Sequence, residues 1–270
     1  MPALALDGLD RHPGAMRSID RLLTIMARLR APDGGCPWDL EQSFHTIAPH
    51  TIEEAYEVVE AIETGDRVQL RDELGDLLFQ VVFYAQMGSE EGSFDFEAIA
   101  AGICDKMERR HPHVFGDAKV ADAAAQTVQW ERHKRAERSG GVLDGVTATL
   151  PAMTRALKLQ NRAGQVGFDW PEPVQVLDKI AEEIDEVRVE IAQGADQHRL
   201  EDEVGDLLFA CVNLARKLKI DPESALRTCN RKFERRFRHI EQSLAGQGRT
   251  PAEASLEEME ELWVAAKLLE

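Results

Sequence analysis

Aromatic side chains are scarce in this chain, 6% of 270 residues, and no stretch alternates apolar and polar residues at period two. Both shortages argue against a sheet protein, while the abundance of Ala, Leu, Glu and Arg favours helices. No apolar run approaches the ~18 residues that cross a bilayer. Residues 1–14 mix Asp7, Asp10 and Arg11 with the breakers Pro2, Gly8, Pro13 and Gly14, which is not the layout of a signal peptide. The four cysteines (Cys36, Cys104, Cys211, Cys229) form no C-x-x-C pair and no metal-ligand spacing, so free thiols in a reducing cytoplasm are expected. Positive charge is also short. With 32 Lys and Arg against 49 Asp and Glu, the net charge of −17 excludes a surface built to grip nucleic-acid phosphates. It does not exclude a small phosphate ester, which carboxylates can reach through a divalent metal. The expectation is a soluble cytoplasmic protein with neither a nucleic-acid nor a membrane partner.

What is present is helical periodicity. Ile19, Leu22, Leu23, Met26 and Leu29 keep helical spacing over Arg17 to Leu29, and Ala31 to Pro37 is a loop. Further helices are expected from Thr51 to a break at Gly65-Asp66, from there through Met87, over Phe96 to Arg110, and over Ala123 to Arg138. Ser139-Gly140-Gly141 opens a linker, after which the order recurs. A helix over Ala152 to Ala163 is followed by a loop to Pro173, an acidic helix, a break at Gly194 to Asp196 and a second acidic-apolar helix. A basic helix (Glu223 to Gln242) and a last acidic helix complete the chain. The expected architecture is all-α, a tandem duplication of helical bundles: 15–138, a linker 139–151, and 152–270.

The duplication carries the chemistry. Glu53-Glu54-x-x-Glu57 with Glu73-x-x-Asp76 returns as Glu182-Glu183-x-x-Glu186 with Glu203-x-x-Asp206. Acids three apart share a helix face, and the short breaks make each pair of helices antiparallel neighbours. On the second helix Leu74, Leu77, Leu78, Val81, Val82 and Ala85 form one apolar face, with Phe79 and Phe83 roughly opposite. That pattern predicts a helix packed on two sides, with Gly75 letting a neighbouring helix come close. One E-x-x-E pair is ordinarily a solvated face; two on adjacent helices, duplicated in register, are not. Facing carboxylates repel unless protonated or neutralised, and hard divalent cations such as Mg²⁺ resolve the conflict. Mg²⁺ also takes phosphate oxygens as ligands, so a phosphorylated substrate is expected. A di-iron bundle would need two E-x-x-H motifs, and only Glu108 to His111 supplies one. Lys106-x-Glu108-Arg109-Arg110 matches Lys232-x-Glu234-Arg235-Arg236, and Trp130 with Lys134 matches Trp263 with Lys267. The basic groups could hold phosphates and the tryptophans stack on a base, although a lone Trp is more often core. Four residues before the first acid stands Lys179 in the second copy but His50 in the first, a group mostly neutral at pH 7.

Together these motifs resemble the MazG family of nucleoside triphosphate pyrophosphohydrolases, in its two-domain form. Gly35-Cys36-Pro37-Trp38-Asp39, Arg109 to Phe115, Val166-Gly167-Phe168-Asp169-Trp170 and Lys232 to Phe237 add to the likeness. The resemblance implies Mg²⁺-dependent hydrolysis of a nucleoside triphosphate to monophosphate and diphosphate, with Mn²⁺ as a substitute ion. It also implies broad base tolerance, a homodimer, and a role in nucleotide-pool cleaning or nucleotide signalling. The C-terminal copy would be the competent one. There Glu183, Glu186, Glu203 and Asp206 would ligate metal, and Lys179, Lys232, Arg235, Arg236 and Trp263 would contact nucleotide. Glu182 is the spare carboxylate, a candidate base or outer ligand. Glu54, Glu57, Glu73 and Asp76 would form a second, weaker or regulatory site. The alternative is a non-catalytic Mg-nucleotide sensor or helical interaction module.

Overall fold

The computed structural model describes residues 17–118, 122 and 140–270. The leader 1–14 and the helix expected over Ala123 to Arg138, with Trp130 and Lys134, lie outside the described residues. All regular structure among the described residues is helical. The chain divides into two compact units, 1–133 and 134–270.

In the N-terminal unit the helices are α1 (Ser18–Leu29), α2 (Pro37–Glu41), α3 (Phe44–Thr64), α4 (Arg67–Glu91), α5 (Phe96–Arg110) and the single turn α6 (Pro112–Phe115). α3 begins seven residues earlier than the apolar pattern suggests. The Ser43 hydroxyl accepts from the Thr46 amide and the Ser43 amide donates to the Thr46 hydroxyl, a capping box that starts the helix ahead of Pro49. α3 stops at Gly65 in the left-handed region (φ 76°), and Asp66 then caps α4 by accepting the Val68 and Gln69 amides at 2.9 and 3.0 Å. A stop and a start so close together fold α4 back along α3. Met26, Ile47, Val82, Phe83 and Met87 form the buried core, with Phe79 and Tyr84 packed against it.

The C-terminal unit repeats the scheme with α7 (Ala152–Gly164), α8 (Pro173–Gln193), α9 (Gln197–Lys217), α10 (Pro222–Ala245) and α11 (Leu256–Leu268). Gly194 (φ 68°) ends α8, and Asp196 caps α9 through the Arg199 amide. α8 packs along α9, α7 lies against both α9 and α10, and α11 packs on α10. Val176, Ala210, Val212, Ile240, Leu244 and Ala266 are buried apolar side chains of this unit.

One expectation is corrected. The helix read as packed on two sides is so over its C-terminal half, where Val82 and Ala85 of one face and Phe83 of the other are buried, while toward its N-terminal end Leu74 and Leu78 remain 49% and 40% exposed. Val204 and Leu208, at the matching positions of α9, are 44% and 50% exposed. Nor, among the described residues, does a neighbouring helix approach Gly75 or Gly205, where an added Cβ would meet nothing within 4 Å.

Phe83 is the largest buried side chain, 1% exposed. Phe83→Ala is expected to destabilise the N-terminal unit by about 3–5 kcal/mol in chemical denaturation, the usual cost of emptying such a site. A loss below about 1 kcal/mol would contradict the packing described.

Candidate functional site

Each acidic group grows from its helix pair. The i,i+3 spacing turns Glu183 and Glu186 of α8, and Glu203 and Asp206 of α9, toward the seam that the Gly194 reversal creates. Carboxylate oxygens of Glu183, Glu203 and Asp206 lie within 4.8 Å of one another. Glu186 stands outside that group of three but hydrogen-bonds Glu183. That bond, with burial and the neighbouring carboxylates, pushes its carboxyl above the usual range. In the N-terminal unit the equivalent group is Glu54, Glu57 and Glu73, and Asp76 is outside it. Burial, then Glu73 and Glu54, raise the Glu57 carboxyl in the same way.

The two groups differ in what faces them. Glu183 is 4% exposed, and its Oε2 is buried with no hydrogen-bond partner. Its Oε1 takes the Lys179 ammonium at 2.8 Å, and Lys179 also reaches Glu182 at 2.8 Å. Hydrogen bonds to Glu182 and Glu183 raise the Lys179 pKa, so this cation stays charged. In the N-terminal unit Glu54 instead meets the amide of buried Gln80 at 3.4 Å, and His50 pairs with Glu53 at 3.6 Å. A permanent cation at one site is thus replaced by a titratable imidazole at the other.

Lys179, Glu183 and Asp206 line a cavity of about 520 Å³, whose other walls include Phe168, Trp170, Gln160 and Asn213. The loop before α8 is fixed by Asp169, which binds Arg216 and Lys217 of α9; Lys217 also donates to the Trp170 carbonyl. Burial would raise the Asp169 carboxyl, but the hydrogen bonds from Arg216 and Lys217 outweigh it and hold it low.

The remaining basic candidates gather elsewhere in the unit. Arg235, Arg236 and His239 line a second cavity of about 370 Å³ between α10 and α11. Both guanidiniums grip the Glu270 side chain, which Arg236 and Arg235 hold down at about 2. Trp263 packs 5.3 Å from Phe233 and lies under Arg236, also at 5.3 Å. Its ring braces Arg236. Lys232 is exposed. Within one chain, then, Lys179 stands with the acids, and the arginine pair lines a separate hollow. Sequence reasoning missed Glu270, Gln160 and Asn213. The last could have been found by aligning the two copies, since Asn213 stands where the first copy has Phe83.

The sequence matches the MazG nucleotide pyrophosphohydrolase domain twice, over residues 42–115 and 172–241. Two similar proteins are both named nucleoside triphosphate pyrophosphohydrolase, the second with the further name pyrophosphatase MazG. One, from Escherichia coli K12, is 54% identical over 93% of this chain and 98% of its own length. The other, from Thermotoga maritima, is 41% identical over 92% and 95%. The two matched segments are those that contain the helix pairs α3–α4 and α8–α9 with their acidic groups, and the chain belongs to the MazG nucleotide pyrophosphohydrolase domain family.

Proposed function

We propose that the chain hydrolyses nucleoside triphosphates to nucleoside monophosphate and diphosphate, at the site between α8 and α9. The observation that carries this reading is the unpartnered, buried Glu183 Oε2, set among three acids and beside a charged Lys179 at the edge of a cavity. An all-oxygen donor set with one oxygen left unsatisfied fits a hard divalent ion, and Mg²⁺ is the candidate, with Mn²⁺ as a substitute. Glu183, Glu203 and Asp206 would hold it, with Glu186 adjacent. Such an ion supplies charge that lets carboxylates and a triphosphate share one space, and it acidifies a bound water.

The chain's own residues do the rest. Lys179 exchanges its carboxylate partners for a phosphate oxygen, which frees Glu182. Water attacks the α-phosphorus, the bond to the bridging oxygen breaks, diphosphate leaves, and Glu182 accepts the water proton. Lys232, Arg235 and Arg236 are positive groups for the outgoing phosphates, with Arg236 braced by Trp263. The N-terminal acids, with His50 at the position of Lys179, are a weaker or regulatory site. The names of the two relatives support the reaction class. Broad base tolerance and a role in cleaning the cytoplasmic nucleotide pool or in nucleotide signalling belong to the same proposal. The exposed ridges Leu74/Leu78 and Val204/Leu208 favour a homodimer, because apolar strips repeated on both units are what a second copy would cover. No helix among the described residues is long and apolar enough to cross a membrane, and the charge of −17 disfavours a nucleic-acid partner.

A second reading, a nucleotide sensor without turnover, draws on the separation of Arg235 and Arg236 into their own cavity. Turnover of the purified protein with and without EDTA distinguishes the two. EDTA-sensitive release of diphosphate and monophosphate is expected, and release of orthophosphate from the γ position would defeat the proposal. Glu203→Ala should reduce that turnover by ~100-fold or more, the scale of losing a positioned catalytic group. Glu73→Ala should leave most of it; the reverse pattern would move the active site to the N-terminal unit. Glu270 competes for the arginines that a triphosphate needs. Glu270→Gln is therefore expected to lower KM by a factor of about 2–5, the size of an exposed ion pair, with kcat little changed. An unchanged KM would remove Arg235 and Arg236 from the binding site.

A further inference from the structure

One wall of the 520 Å³ cavity comes from outside the helices. Leu143, in the segment that leads into α7, lines it together with Lys179, Glu183 and Asp206. Leu143 is 49% exposed and its neighbour Val142 45%. The segment makes its own shape. The Asp144 amide donates to the Gly141 carbonyl at 3.2 Å, and the Asp144 carboxylate accepts from the Gly141 amide at 2.6 Å. Two bonds between the same pair of residues close a turn that needs no outside support. A glycine stands on each side of it, Gly140 with φ 138° and Gly145 with φ 76°, conformations that other residues rarely adopt. At Gly140 a Cβ would also come within 2.1 Å of the Asp144 carboxylate.

Arg162 of α7 ties this turn to the unit. One of its guanidinium nitrogens donates to the Asp144 carbonyl at 2.6 Å and to the Val142 carbonyl at 3.3 Å. Those two carbonyls flank Leu143, so the side chain that holds the turn also holds Leu143 at the cavity. Both bonds lie at the surface, where water competes for donor and acceptor and keeps the net gain small. Asp76 and Asp206 are 130 residues apart, and at the same offset the first copy has Pro32 in place of Arg162. A proline ring has no donor, so it cannot make this tie.

We propose that residues 141–144 are a lid on the C-terminal cavity, hinged at Gly140 and Gly145 and latched to α7 by Arg162, which lifts to admit substrate and closes Leu143 over it. The assignment rests on the proposed hydrolysis and goes beyond it by naming the element that opens and shuts the site. A self-closed turn between two glycines, with a weak and exposed latch, has what a moving cover needs. The turn keeps its form while the hinges absorb the change in backbone angle, and little is lost when the latch opens. Closed on a bound substrate, Leu143 adds apolar surface to the cavity wall and keeps bulk water out. Arg162 is a positioning residue, which acts on the reaction through Leu143.

The test is hydrogen–deuterium exchange of the 141–146 amides in the full chain, with and without Mg-α,β-methylene-ATP, beside steady-state kinetics. In wild type the analogue is expected to slow exchange across the turn by about tenfold, as a ligand does when it holds a locally opening segment shut. Arg162→Gln should cancel that slowing and raise KM by about 3–10-fold, the scale of one hydrogen bond, with kcat little changed. Arg162→Lys, which keeps a donor, should recover most of the lost affinity. Gly140→Ala drives the Asp144 carboxylate off the Gly141 amide without touching α7. It should act like Arg162→Gln, and it decides if that variant does not fold. If Arg162 only supports α7, Arg162→Gln will lower the urea midpoint and quicken exchange along that helix with KM unchanged, which would overturn the lid. So would turn amides that exchange alike with and without the analogue in an enzyme that still releases diphosphate, a result that leaves the hydrolysis standing. Slowing by the analogue in a wild type that releases no diphosphate would keep the lid and overturn the hydrolysis.

Discussion

Three carboxylates gathered within 4.8 Å at the seam of two helices is the constraint on which the C-terminal unit turns. Their mutual repulsion must be opposed by something the backbone cannot supply. Lys179 opposes part of it, taking Glu183 and Glu182 together. The remainder appears as a raised Glu186 carboxyl and as a buried Glu183 oxygen without a partner. A folded protein keeps such an arrangement when a ligand relieves it; of the three acids the helix pair buries Glu183, leaving Glu203 half-buried and Asp206 exposed. The reversal at Gly194 and Asp196 is what makes the seam. Without it the two i,i+3 pairs would be separate acidic faces in solvent.

The two units show how one scaffold supports different chemistry through a few substitutions. Both have the reversal, the acids and the exposed ridge. Lys179 against His50 changes a permanent charge into a titratable one. Asn213, which lines the cavity, stands where the first copy has the buried Phe83. In the first unit Phe83 joins Met26, Ile47 and Met87 in the core, so its bulk contributes to stability there. Removing that bulk from the second copy exchanges apolar packing for space. The polar groups left beside that space are fixed by Phe209 and Arg216.

The hollow between α10 and α11 is held by charge. Glu270 closes on Arg235 and Arg236, and Trp263 supports Arg236 from below. A carboxylate there occupies the guanidiniums as an anion would, so a phosphate arriving at this hollow meets a competitor already in place. Arginines held in a fixed direction by an aromatic ring and a carboxylate are better prepared to bind phosphate than freely moving ones, although the carboxylate must first leave.

Much of this was legible in the residues. Apolar spacing and the Gly-Asp breaks determined the helices and their reversal, because those signals are local and depend on backbone geometry alone. The i,i+3 acids and their repetition determined the candidate site and the family, since spacing on a helix fixes which side chains share a face. Which stretch of α4 is covered within the chain was not legible: Leu74 and Val82 are equally apolar and share a face, and only packing decides which of them is buried. Nor could the sequence separate Arg235 and Arg236 from Lys179, or seat Trp263 against Phe233. Those outcomes depend on how helices far apart in the chain stack. The same holds for the cavity, a space left between α7, α9 and the Asp169 loop whose size is set by the tertiary structure, because empty volume belongs to no single residue.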